Sequence, residues 1–93
     1  MTQEVELSGR VILVTGASRG IGLAIARAFH SRGAKVALSA RGKEGLATAE
    51  KELGDRALAV EMDVAQESSV QAGIERVASR FGRIDVLVNN AAV

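Results

Sequence analysis

The sequence contains no cysteine, proline, tryptophan or tyrosine. Without cysteine there is no disulfide framework and no thiolate metal site. A single histidine, His30, would leave a zinc site to carboxylates, a poor donor set for that ion. Phe29 and Phe81 are the only aromatic residues, so the core has to be aliphatic. With no proline, chain punctuation falls to ten glycines. Neither sign of charge dominates: 12 basic and 11 acidic residues give a net charge of +1, and no like-charge run reaches five. That excludes a nucleic-acid-binding tail and a polybasic membrane patch. Apolar runs such as "VILV" stop at four residues, against about 20 for a membrane span. The first ten residues, "MTQEVELSGR", carry Glu4 and Glu6 and no apolar stretch of the secretion-signal kind, so the cytoplasm is the expected location.

A chain of 93 residues is at most one small domain, and its 47% apolar content is enough for a core. A chain this short hides a smaller share of its surface than a full-sized domain. Short β-branched runs alternate with helix-like segments. "RVILVT" (10–15) reads as a buried strand, and "GIGLAIARAFHSRG" as a helix with Ile21, Ile25, Ala28 and Phe29 on one face, closed by Gly33. A second strand is expected at 34–40, a second helix at 43–53 and a third strand within 57–64. The third helix is expected at 66–81, where Val70, Ile74, Val77 and Phe81 recur at helical spacing; a fourth strand is centred on 84–88. This β-α-β-α-β-α-β order predicts an α/β fold, a doubly wound parallel sheet in the order 3-2-1-4. Ligands of such sheets bind at the carboxyl ends of the strands, beside the switch point between strands one and four.

The polar motifs all fall at those ends. Gly16, Gly20 and Gly22 follow strand one, Arg41 follows strand two, Asp63 follows strand three, and Asn89, Asn90 and Ala91 follow strand four. Turn residues are commonly Gly, Asn, Asp and Ser, which is the bland explanation. The chemistry is more specific. Glycines between a strand and a helix permit a tight turn and let the backbone approach a pyrophosphate. The helix behind offers unpaired N–H groups and the positive end of its dipole. Ser18 adds a hydroxyl donor, Arg19 a full charge, and Ile21 lies within the same turn. No Gly-Lys-Ser/Thr follows, so this is not a Walker loop.

"TGASRGIG" (15–22) resembles the glycine motif of the short-chain dehydrogenase/reductases, and "DV" (63–64) and "NNA" (89–91) match two further landmarks of that family. The resemblance runs from about residue 7 to residue 93 and implies a Rossmann-like fold, of which residues 1–93 form the N-terminal part of one NAD(P)-binding domain. It also implies a dinucleotide cofactor and an alcohol or carbonyl substrate. It gives Asp63 and the Val64 backbone an adenine contact, where the plain alternative for Asp63 is a helix cap or turn. It gives Asn90 and Ala91 contacts to a cofactor ribose, and leaves Asn89 to bond backbone between strands. The family's usual Asn-Asn-Ala-Gly is broken here by Ala92, whose Cβ disfavours a left-handed backbone.

The residue about 20 positions past the glycines sorts NAD from NADP: an acid binds the 2′-hydroxyl, an arginine accommodates the 2′-phosphate. Arg41 lies nineteen residues past Gly22, and no acid occupies positions 39–42. With Arg19 inside the glycine loop, NADP is favoured over NAD, unless both arginines are ordinary solvated charges. The missing acid also disfavours an S-adenosylmethionine enzyme. His30, far from the strand ends, is expected to be a solvated helix residue.

The resembled family catalyses through a Tyr-x-x-x-Lys pair with a Ser and an Asn, and this chain has no tyrosine to fill it. No catalytic residue is assigned, and the 93-residue chain alone is expected to be inactive. Strand four is expected to be a bare apolar edge. Two function classes follow: the cofactor-binding portion of a longer NADP(H)-dependent short-chain oxidoreductase, or a non-catalytic nucleotide-binding module that self-associates through strand four.

Overall fold

The computed structural model describes residues 6–91. Ala92, the departure from the Asn-Asn-Ala-Gly pattern, lies outside the described residues, as do residues 1–5.

Four strands and three helices alternate: β1 (Val11–Thr15), α1 (Gly20–Ser31), β2 (Lys35–Ala40), α2 (Glu44–Leu53), β3 (Ala57–Glu61), α3 (Glu67–Phe81) and β4 (Val86–Val88). The strands form one parallel sheet in the order β3-β2-β1-β4. The expected doubly wound topology is therefore the observed one.

The period-two alternation of each strand divides the core into two layers. Ile12, Val14, Val36 and Leu38 pack with Ala26 of α1 and with Leu46 and Ala49 of α2. Val11, Leu13, Ala37, Leu58 and Val60 pack with Val77 of α3. Phe29 and Phe81 lie only at the margins of these layers, so the core is aliphatic throughout.

The buried stripe of α1 differs from the expected one. Gly22 and Ala26 are fully buried and Leu23, Ile25 and Phe29 partly so, whereas Ile21 is 73% exposed and Ala28 also faces solvent. The cause is the turn before the helix. A Cβ at Gly22 would overlap the Gly16 carbonyl oxygen, so Gly22 has to face inward, and Ile21 is carried outward. On α3 the closest approach is at Gly73 and Val77, not Ile74, which is 39% exposed. Gly73 admits the Met62 side chain against the helix axis.

Boundaries shift by small amounts. β1 begins at Val11, and α2 and α3 begin one residue later than expected, after Lys43 and Gln66. β3 ends at Glu61, before Asp63 and Val64, because the sheet pairing with β2 ends at Ala40 and Glu61. β4 is only three residues long. Asp85 precedes it with its N–H on the Val11 carbonyl and its carboxylate on the Val11 N–H, at 2.8 Å each. The outer side of β4 is unpaired among the described residues, with Val86 43% and Leu87 57% exposed.

Candidate functional site

The carboxyl ends of β1, β2 and β3 open onto one cavity of about 310 Å³. Its wall contains Gly16, Ser18, Arg19, Arg41, Asp63, Val64 and Ala91 from the sequence-derived set. Ser39, Ala40, Met62 and Ala65 complete it. Gly20, Ile21, Gly22 and Asn90 are not on this wall. Gly20 and Gly22 shape the turn, Asn90 closes it from behind, and Ile21 stands exposed on the first turn of α1.

The glycine loop is built by backbone demands. Gly16 and Gly20 have φ of 62° and 61°, a left-handed conformation that a Cβ resists. A Cβ at Gly16 would also sit 3.1 Å from the Cα of Ala91, so the absent side chain lets the loop after β4 lie against the loop after β1. Arg19 precedes α1 in extended conformation, and no side chain caps the helix. The first N–H groups of α1 are thus left for a ligand at the positive end of the helix dipole. The start of α2 presses on the same loop: a Cβ at Gly45 would lie 2.8 Å from Cβ of Ser18 and 3.0 Å from its carbonyl oxygen.

Thr15, which the motif reading passed over, organises the rim. It is 4% exposed. Its hydroxyl accepts from the N–H groups of Asn90 (2.9 Å) and Ala91 (3.0 Å) and lies 3.2 Å from Oδ1 of Asn89. The Asn90 amide donates to the Gly16 carbonyl at 3.2 Å. The bridge between the β4 loop and the backbone after β1 is therefore made by Asn90, whereas Asn89 was expected to make it; the Asn89 side chain meets the Thr15 hydroxyl instead. The available signal was a polar residue ending an otherwise apolar strand. Ser39 has the same signature at the end of β2 and is 1% exposed. Its carbonyl accepts the Ala17 N–H at 2.9 Å and so anchors the glycine loop, but its hydroxyl has no partner among the described residues.

Arg19 and Arg41 are exposed at the cavity wall, and neither side chain makes a hydrogen bond or ion pair among the described residues. Glu44, the first acid after them in the chain, begins α2 and is not on the wall. Across the cavity, Oδ1 of Asp63 accepts the Ala65 N–H at 3.0 Å, and the Asp63 N–H donates to Oγ of Ser69 at 2.9 Å. The turn role weighed for Asp63 is thus present, while Gln66 makes no side-chain cap of the capping-box type. One wall is cationic and the other offers a carboxylate, a suitable pairing for a phosphate at one end and a base amine at the other.

His30 lies at the opposite end of the sheet. It is half-buried rather than fully solvated as expected: its Nε2 is buried and has no hydrogen-bond partner among the described residues. Burial, and then the neighbouring Arg56, push the imidazole below its ordinary value of 6.5. Among the described residues no cluster of three metal-ligating side chains occurs, and no helix is long and apolar enough to cross a membrane.

The family model described as short chain dehydrogenase matches residues 10–93. D-threitol dehydrogenase of Mycolicibacterium smegmatis is 48% identical, with all of this chain matched to 40% of that protein. A 3-oxoacyl-acyl-carrier-protein reductase of Vibrio cholerae is 42% identical over 96% of this chain and 36% of its own length. A crystal structure of 3-ketoacyl-acyl-carrier-protein reductase from Brucella melitensis, complexed with NADH, superposes with a TM-score of 0.92. That protein is 44% identical over 95% of this chain and 36% of its own. The chain thus spans 36–40% of the length of these relatives. With the parallel sheet, the glycine turn and the rim behind it in place, the chain belongs to the short-chain dehydrogenase family.

Proposed function

We propose that residues 1–93 are the dinucleotide-binding part of a cytoplasmic, NADP(H)-dependent oxidoreductase acting on an alcohol or carbonyl compound. The observation that carries this reading is the cavity in which two unengaged arginines, Arg19 and Arg41, face the Asp63 side across the carboxyl ends of the sheet. The glycine turn suits a pyrophosphate, because left-handed Gly16 and Gly20 bring the chain tightly into α1, whose N-terminus carries no side-chain cap from Arg19.

When bound, the nicotinamide supplies the hydride-transferring group. The residues of this chain bind and orient. The backbone at Gly20, Ile21 and Gly22 presents N–H groups to the pyrophosphate, helped by Ser18. Arg41 and Arg19 grip the 2′-phosphate, where a carboxylate would repel it. Asp63 and the Val64 backbone take the adenine, and Asn90 and Ala91 border a ribose. The proton donor for the carbonyl oxygen is not among these residues, so the 93-residue chain binds cofactor without turning over substrate.

Calorimetric titration of the chain with NADPH and NADH tests the reading. Tighter binding of NADPH and no dehydrogenase activity are expected. Tighter binding of NADH would sink the role given to Arg41. The exposed β4 edge favours a second reading for the isolated chain, self-association through Val86 and Leu87, which sedimentation would show as a concentration-dependent dimer.

A further inference from the structure

We infer that the Ser39 hydroxyl is a contact for the adenosine half of the dinucleotide, an assignment that rests on the nucleotide reading of the same cavity. Ser39 is 1% exposed and belongs to the cavity wall, two residues before Arg41. In the sheet it stands in register between Thr15 of β1 and Val60 of β3. It shares the strand face of Ala37, which packs in the layer of Leu58, Val60 and Met62.

Among the described residues the buried polar side chains of this core, Thr15 and Ser39, are direct neighbours with different fates. The Thr15 hydroxyl is saturated by the N–H groups of Asn90 and Ala91. The Ser39 hydroxyl has no hydrogen-bond partner among the described residues. A buried hydroxyl without a partner opposes folding, because it gives up water and receives nothing in return. Packing gives no reason to keep it. Alanine occupies the neighbouring positions 37 and 40, and it would fill this site with no orphan atom. The backbone of Ser39 is already committed through its carbonyl to Ala17, which leaves the hydroxyl as the spare group. A serine has one heavy-atom side-chain torsion, so its Oγ reorients toward a ligand at small cost.

The position selects which part of the ligand is met. Ser39 lies between Arg41, at the end of its own strand, and Met62 and Asp63, which follow the neighbouring strand β3. Those are the residues assigned to the 2′-phosphate and the adenine. The nicotinamide would lie toward the β4 side, away from β3.

Ser39→Ala separates this role from a structural one, because the two predict opposite effects on the free protein. Free Ser39→Ala is expected to melt at the same temperature as the unsubstituted chain or higher. Its affinity for NADPH and for adenosine 2′,5′-bisphosphate is expected to fall about five- to tenfold, the size of one neutral hydrogen bond. Ser39→Cys, with a weak S–H donor, should fall between the two. Nicotinamide mononucleotide should bind both proteins alike. Unchanged affinity of Ser39→Ala for the bisphosphate would overturn the assignment, as would a loss that appears only with a lower melting temperature. Failure of the unsubstituted chain to bind NADPH or the bisphosphate would overturn the nucleotide reading itself, and this inference with it.

Discussion

The two ends of the sheet use arginine in opposite ways. At the amino ends of the strands, Arg56, Arg83 and Arg10 are occupied. Arg56 donates at 2.9 Å to the carbonyls of both His30 and Ala34, tying the end of α1 and the start of β2 to β3. Arg83 holds Asp85 at 2.9 Å and Arg10 approaches it at 3.8 Å, while Asp85 in turn fixes β4 to β1 through Val11. At the carboxyl ends, Arg19 and Arg41 face a cavity with no such partner among the described residues. Charges satisfied within the fold contribute to its stability. Charges left facing a concave wall of glycine turns and helix ends are, in the proposed reading, where the cofactor phosphate would bind. Substitution at the two ends should therefore separate stability from binding.

The sharpest challenge to that separation is Gly22→Ala, since Gly22 belongs to both. Its Cβ would overlap the Gly16 carbonyl and approach the Asn90 amide to 2.7 Å. We expect a loss of about 3 kcal/mol of stability, at the upper end of overpacking costs, measured by urea unfolding, together with loss of NADPH binding by calorimetry. Arg41→Asp should act on binding alone. NADPH affinity is expected to fall roughly 10- to 100-fold, the range for losing a charge-assisted bond and gaining repulsion. NADH should become the preferred ligand while the melting temperature holds. A melting loss comparable to that of Gly22→Ala would break the division between the two ends.

Arg56→Ala is the converse. Two partly buried carbonyls lose their donor, so a loss of about 1.5–3 kcal/mol is expected, with NADPH affinity unchanged. The smallest effect is the acid response of the same end. His30 is pushed below 6.5 in the folded protein, so the unfolded chain takes up the proton first. Its contribution to stability is complete above about 6.5 and declines as pH falls below that. The Arg83 guanidinium and the Val11 N–H hold the Asp85 carboxyl below its ordinary 3.8, so its contribution is lost only as pH falls further still, through that lowered value. Melting curves from pH 7 to pH 5 should slope less in His30→Gln than in the unsubstituted chain. Equal slopes would remove His30 from the account.

Much of this was legible from residue order. Alternating β-branched runs and amphipathic segments prescribe a parallel sheet wound on both faces, since a strand and the next parallel strand need a crossover between them. The glycines and the polar residues after each strand mark the rim. Less legible was how the rim holds itself. Nothing in "NNA" distinguishes the amide that reaches the Gly16 carbonyl from the one that meets Thr15, because both are asparagines one residue apart on an irregular segment. The inward turn of Gly22 was hidden for a related reason. Periodicity scores apolar side chains and places Ile21 on the buried stripe, whereas the close approach of two backbones selects the residue that has no side chain at all.

By itself, then, the sequence determined the element order, the aliphatic core and the placing of Gly16, Arg41, Asp63 and Asn90 at the carboxyl ends of successive strands, because each follows from local periodicity and from the rule that joins parallel strands. Tertiary structure alone decided which polar groups are consumed within the fold and which are left over. Thr15 and Ser39 are both hydroxyl-bearing residues at the carboxyl ends of largely apolar strands. Only the loop that folds back from β4 makes one of them a structural hub, while the other, on the cavity wall at the carboxyl ends of the strands, has no partner among the described residues. Partners so distant in sequence are chosen by packing, which residue order encodes but does not display.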